Sequence, residues 1–282
     1  MIVAFWSRNR RIGTTSCILA TAAEIALKMK GSCLMTQMYS RQDDLESMVT
    51  GGMSDEEREC VMREMGSDAL IRQFKAGRLG GEDVFNCSVE VMKNLSFLAA
   101  PRKPFLIPGG ENARNNIIER ILSAASERFE TVLIDVGAGR EKEDKSILSG
   151  SDIVVAVCEQ GRKSLQKTFE AAEKSGIQKE KLFIVFPRYL PESKYNINNL
   201  KHVCENIGNE SLGAIPSSYL YMDALEDKRA VAFLQCFEKD AESAGDPGFY
   251  AETVRCGKKL IEKARKNARK RSLAGANGEK TL

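Results

Sequence analysis

Short apolar runs alternate along this chain with longer stretches in which apolar residues recur at helical spacing. Residues 2–6 (IVAFW), 32–37 (SCLMTQ), 94–98 (NLSFL), 105–107 (FLI), 131–135 (TVLID), 151–158 (SDIVVAVC), 181–186 (KLFIVF) and 212–215 (LGAI) read as strands. Helical patterns fill 15–29, 42–49, 54–65, 69–76, 81–91, 112–129, 164–176 and 200–207, and a further helix begins over 222–226. Several of the strands are apolar throughout, the mark of a sheet covered on both faces. Strands interleaved with helices predict an α/β fold: a doubly wound, mostly parallel sheet in three α/β/α layers.

Composition adds a scale to that picture. With 282 residues and 43% hydrophobic content, the chain can bury a large single core. The expectation is one domain over 1–250, followed by a basic C-terminal helix and disordered tail over 251–282. A balance of 42 basic against 39 acidic residues, net +3, excludes a uniformly basic nucleic-acid-binding surface. The eight cysteines include no C-x-x-C pair, so buried reduced thiols are expected rather than zinc. The first apolar run is too short for a signal peptide or a membrane span, which makes the cytoplasm the expected location.

The most informative stretch is MIVAFWSRNRRIGTTS, residues 1–16. An apolar strand gives way to a polar loop, and Gly13-Thr14-Thr15-Ser16 opens a helix. Backbone N–H groups at such a helix start, together with its dipole, favour an anion. A P-loop would place Gly-x-x-x-x-Gly-Lys-Ser/Thr here; this chain has Arg8, Gly13 and then Thr14 at the lysine position. Farther on, Asp135 ends an apolar strand and leads into Val136-Gly137-Ala138-Gly139. A carboxylate at the C-terminal end of a parallel strand, where ligands bind, suits a magnesium ion.

Together these features resemble the ParA/MinD family of P-loop ATPases with a deviant phosphate loop, over roughly residues 1–240. The likeness is carried by SRNRRIGTTS for the phosphate loop, LIDVGAG for the strand, aspartate and turn, and SDIVVAV for the strand that follows. IVFPRY matches the strand end that contacts the base, and LGAIPSS the last strand and its Ile-Pro turn. The FWS opening, the GTTS loop and the Thr36-Gln37 strand end are most similar to the TadZ/CpaE branch, associated with assembly of Flp (Tad) pili.

The resemblance implies ATP or ADP with magnesium as cofactor. Arg11, Ile12, Gly13, Thr14, Thr15 and Ser16, through the backbone N–H groups of 11–15, with Gly137 and Pro187, are the candidate nucleotide contacts, and Thr15 and Asp135 the candidate magnesium ligands. It also implies a homodimer and partners among pilus or secretion assembly proteins, at the inner face of the membrane. The departures bear on activity. Asn9 and Thr14 stand where the family has lysines, Thr36 where it has an aspartate that orients water, and Pro187 where it has a base-contacting asparagine. Phosphoryl transfer relies on positioned cations, so the expectation is nucleotide binding with weak or absent hydrolysis. The alternative is an active partition ATPase whose nucleotide-dependent dimer binds DNA or membrane.

Other features take plainer readings. Arg8, Arg10 and Arg11 either restore some of the missing charge or are solvated loop residues, and exposed cations are weakly constrained. Asp43 and Asp44 read as a cap for the helix at Leu45, His202 as a surface residue, and Met48, Met53, Met62 and Met65 as helix packing. The run from Arg255 to Arg271 carries eight further basic residues against Glu262, and its apolar positions predict a helix that docks early and then enters solvent. Such a helix could meet DNA phosphates, a membrane surface or an acidic partner. Residues 272–282 read as disordered.

Overall fold

The computed structural model describes residues 1–37, 45–51, 53–54, 56, 65–101, 110–138, 142–203, 208–238 and 245–278. In chain order the strands and helices are β1 (Ile2–Ser7), α1 (Thr14–Lys28), β2 (Cys33–Gln37), α2 (Leu45–Val49), α3 (Ser67–Lys75), α4 (Gly81–Asn86), β3 (Val89–Met92), β4 (Leu95–Leu98) and α5 (Gly110–Arg128). The second half comprises β5 (Thr131–Gly137), α6 (Lys142–Gly150), β6 (Ile153–Val157), α7 (Arg162–Lys174), β7 (Leu182–Tyr189), α8 (Ile197–Leu200), β8 (Leu212–Pro216), α9 (Tyr219–Glu226), α10 (Ala230–Gln235) and α11 (Pro247–Gly278).

The strands form one eight-stranded sheet in the order β3-β4-β2-β5-β1-β6-β7-β8. Every pair is parallel except β3 with β4. Strand β1 shows why there are three layers. Its residues 3–6 are all buried, and because successive side chains point to opposite faces, Val3 and Phe5 join one hydrophobic cluster while Ala4 and Trp6 join the other. The first cluster is completed by Ile18 and Leu19 of α1, Leu234 of α10 and Leu260 of α11; the second by Ile121 of α5, Ile147 of α6 and Leu165 of α7. The doubly wound parallel sheet read from the sequence is therefore the fold observed.

Three elements differ from expectation. The helix expected over 81–91 ends at Asn86, and Val89–Met92 instead form β3, antiparallel to β4. The β-branched pair Val89 and Val91 around Glu90 suits a strand, and Asn94, at φ 66°, makes the return. Asparagine tolerates this left-handed conformation better than most residues. The strand expected at 105–107 and most of the helix expected at 54–65 lie outside the described residues, as do Asp43 and Asp44. Among the described residues the amide of Leu45 donates to Gln37 Oε1 at 2.9 Å.

Helix α11 departs most from the sequence reading. Position 250 lies inside it rather than at a boundary, and the helix continues to Gly278 where disorder was expected from Ser272. Pro247 takes the first turn, where its missing N–H costs nothing, and Asp246 caps it by accepting from the Phe249 amide at 3.0 Å. Phe249, Cys256, Leu260, Ile261 and Ala264 are buried in the same cluster as α1, so the helix belongs to the domain. Beyond them Arg, Lys, Ala and Leu, all strong helix formers, prevail, and no proline stops the run.

Candidate functional site

At the C-terminal ends of the parallel strands lies a cleft of about 690 Å³, walled by the loop after β1, the start of α1, the ends of β5, β7 and β8, and α9 with the residue before it. Gly13 is the N-cap of α1 with φ 98°, a conformation that disfavours any side chain. A Cβ here would lie 3.2 Å from Ser16 Oγ and 3.4 Å from Cβ of Pro187. The end of β7 thus presses on the loop, which a larger residue at position 13 would push away.

The two candidate metal ligands meet. Thr15 Oγ1 donates to Asp135 Oδ2 at 2.8 Å, and Asp135 Oδ1 accepts from the Gly137 amide at 2.9 Å. Parallel pairing of β1 with β5 places Phe5 beside Asp135, so the loop after β1 and the carboxylate after β5 open on the same side. A hydroxyl and a carboxylate are hard oxygen ligands of the kind magnesium takes, and the pair fits that ion. In a magnesium complex the ion would replace the hydroxyl proton as partner of Asp135 and would neutralise phosphate charge.

The other candidates divide. Arg11, Thr14, Ser16, Gly137 and Pro187 all line the cleft. Ser16 Oγ donates to the Gly13 carbonyl at 3.0 Å, tightening the first turn. Ile12 turns its side chain into the core, 6% exposed, leaving only its backbone for the loop. Arg10 joins Arg11 on the cleft wall, whereas Arg8 acts on Cys158 at the end of β6, where its charge opposes the rise in the thiol pKa caused mainly by burial. Thr36 cannot orient water: it is buried, and its hydroxyl donates to the Leu98 carbonyl at 3.0 Å. Its neighbour Gln37, on the opposite face of the strand, is the one that reaches the cleft. His202 is exposed, and among the described residues no cluster of three or more His, Cys, Asp and Glu side chains could hold a metal.

Several lining residues had no signal strong enough to single them out. Arg188, Ser218, Tyr221 and Met222 all border the cleft. Ser218 caps α9 by accepting from the Tyr221 amide at 3.2 Å, and the Tyr221 hydroxyl donates to the Ser16 carbonyl at 2.8 Å. Burial raises the Tyr221 pKa well above its ordinary value, so it acts as a neutral donor that ties α9 to the loop. The thiol of Cys17, also on the cleft wall, is pushed up by burial and then by Cys256, and is no nucleophile at neutral pH. Anion-binding backbone, an oxygen pair for a cation and guanidinium groups without a hydrogen-bond partner among the described residues suit this cleft to a phosphorylated ligand.

No family model matches the sequence, and no curated protein is significantly similar to it. Solved structures do match. A ParA family ATPase from Chlorobium tepidum TLS superposes with TM-score 0.65 at 13% identity, covering 91% of this chain and 98% of that one. MinD in the MinC:MinD cell division complex of Aquifex aeolicus gives 0.61 at 15%, covering 93% and 96%. The septum site-determining protein MinD with Mg-ADP from Pyrococcus horikoshii OT3 gives 0.58 at 14%, covering 95% and 99%. At these identities the likeness is one of architecture, and it extends over nearly the whole of each chain: this protein has the fold of the ParA and MinD ATPases.

Proposed function

We propose that this protein binds ATP or ADP with magnesium in the cleft, hydrolyses it slowly or not at all, and serves as a localisation or assembly factor for a pilus or secretion apparatus. The observation that carries the nucleotide part is the 2.8 Å contact between Thr15 and Asp135 beside the Gly13 turn. It is supported by the fold shared with a MinD solved with Mg-ADP. The phosphates would lie on the amides of residues 11–15, at the positive end of the α1 dipole, and Thr15 and Asp135 would hold the ion.

Slow hydrolysis follows from what lines the cleft. Among the described residues no lysine borders it, and Asp135 is its one carboxylate, already engaged by Thr15 and Gly137. With Asn9 and Thr14 at the family's lysine positions and Thr36 at that of its water-orienting aspartate, positioned contributions to phosphoryl transfer are lost. The assembly role rests on the resemblance of the FWS, GTTS and TQ segments to the TadZ/CpaE branch. It is consistent with exposed apolar side chains after β7 and β8: Leu190, Tyr195, Tyr219 and Met222 are four of the six exposed large hydrophobics described, and Met222 lies on the cleft wall. Such a surface suits a second copy or a partner protein.

Calorimetric titration of Mg-ATP and Mg-ADP tests the reading. The native chain should bind both, and Asp135→Ala should weaken binding by about tenfold or more, the worth of a lost charge-assisted ligand. Heat from neither nucleotide would remove the nucleotide proposal. Phosphate release near background and a dimer by light scattering are also expected. A fluorescent fusion should gather where the apparatus is built; a uniform distribution that ignores the apparatus would count against the assembly role.

A further inference from the structure

Among the described residues, five non-glycine residues have positive φ, and two of them are arginines on the wall of this cleft: Arg11 at 60° and Arg188 at 49°. A left-handed backbone is strained for an L-residue, and sparsely populated conformations gather at functional sites. These two arrive from different parts of the chain, Arg11 from the loop after β1 and Arg188 from the end of β7. Arg188 owes its direction to a β-bulge. Pro187 pairs with Ile215 and Tyr189 with Pro216, leaving Arg188 as the extra residue. Pro187 and Tyr189 are buried on either side of it, and Arg188 alone is turned out.

The side chain is turned toward the loop. Its positive charge acts on Cys17, in the first turn of α1, and Pro187 beside it lies against Gly13. Arg10, Arg11 and Arg188 have no hydrogen bond or ion pair among the described residues. Among the described residues the cleft therefore holds three uncommitted guanidinium groups and no lysine, around one carboxylate that is already hydrogen-bonded.

We propose that Arg188 and Arg11 are phosphate ligands that grip a polyphosphate from opposite walls of the cleft, supplying the charge that the phosphate loop itself lacks at Thr14. A guanidinium presents a planar fork that matches two phosphate oxygens, which an ammonium group cannot do. The inference rests on the reading of the cleft as a nucleotide site and names what that site recognises: the number of phosphates more than the base.

Tripolyphosphate, ATP, ADP, AMP and adenosine, each with magnesium, are titrated into the native chain and into Arg188→Gly, Arg188→Lys and Arg11→Gly. Glycine adopts φ near 50–60° freely, so both glycine variants should unfold at the native temperature or above. Binding of ATP and tripolyphosphate should fall about tenfold or more in each glycine variant, AMP should fall less, and Arg188→Lys should lie between. Nucleotide binding unchanged in Arg188→Gly, or weakened equally for adenosine and ATP, overturns the assignment of Arg188 while the nucleotide reading stands. Tripolyphosphate bound and lost in the variants, with ATP not bound, keeps the arginine pair and overturns the nucleotide reading. No binding of either by the native chain overturns both.

Discussion

The two ends of the sheet use their cations in opposite ways. At the N-terminal ends of β6, β7 and β8, helix α11 lays Lys259, Lys263 and Asn267, four residues apart, across the strand starts. Lys259 Nζ donates to the Leu212 carbonyl at 3.2 Å and Lys263 Nζ to the Leu182 carbonyl at 2.9 Å. Asn267 Nδ2 donates to the carbonyls of Asp152 at 3.2 Å and Glu180 at 3.1 Å. At the C-terminal ends, Arg10, Arg11 and Arg188 border the cleft with none of their donors taken up among the described residues. Lysines that donate to backbone carbonyls at the strand starts hold the fold, and guanidinium groups with no partner among the described residues are available to a ligand. Local charge density does not distinguish the two; the partners do.

Helix α1 links these ends, and the largest expected effect lies on it. Glu24 is 2% exposed, packs near Gly257 of α11, and neither carboxylate oxygen has a hydrogen-bond partner among the described residues. Burial pushes its pKa up from 4.5 to about 7, against the lowering influence of Lys28. The folded state therefore holds a proton that the unfolded state releases between those values, so stability is greatest below about pH 4.5 with respect to this group and falls as pH rises through 7. The loss is at most roughly 3 kcal/mol. Glu24→Gln should flatten the profile and be the more stable protein at pH 8 in urea titrations. A native chain whose stability does not change between pH 5 and 8 would contradict the unpartnered carboxylate.

The contrast between the two cation sets is tested by a smaller effect. Lys263 is half-buried, burial lowers its pKa, and it also donates to Ser211 Oγ. Lys263→Ala should cost about 1–2 kcal/mol of stability and leave nucleotide affinity at its native value, the reverse of Arg188→Gly. Equal behaviour of the two variants in both assays would erase the distinction. Smallest of all, Arg265→Ala and Lys266→Ala, exposed on the outer face of α11, should change stability by less than about 0.5 kcal/mol. A clear loss of stability there would mean that the outer face is also structural.

Much of the scaffold was legible in the sequence because it is encoded locally. A run such as IVAFW makes a doubly buried strand wherever it lies. The glycine and hydroxyl residues of GTTS start a helix, and the apolar run before Asp135 fixes that carboxylate at a strand end. The sequence accordingly determined the parallel sheet, the loop at 8–16 and the candidate pair Thr15 and Asp135. Only the tertiary structure decided which cations face the cleft. Arg188 points there because β7 and β8 slip register by one residue, a relation between strands distant in sequence from the loop they serve. The Ile12 side chain is held in the core and the Thr36 hydroxyl by the Leu98 carbonyl for the same reason, since their neighbours come from other elements. The basic C-terminal run divides into fasteners and solvent-facing residues only once α11 lies across the strand starts, because carbonyl partners are supplied by packing and leave no trace in the pattern of the helix itself.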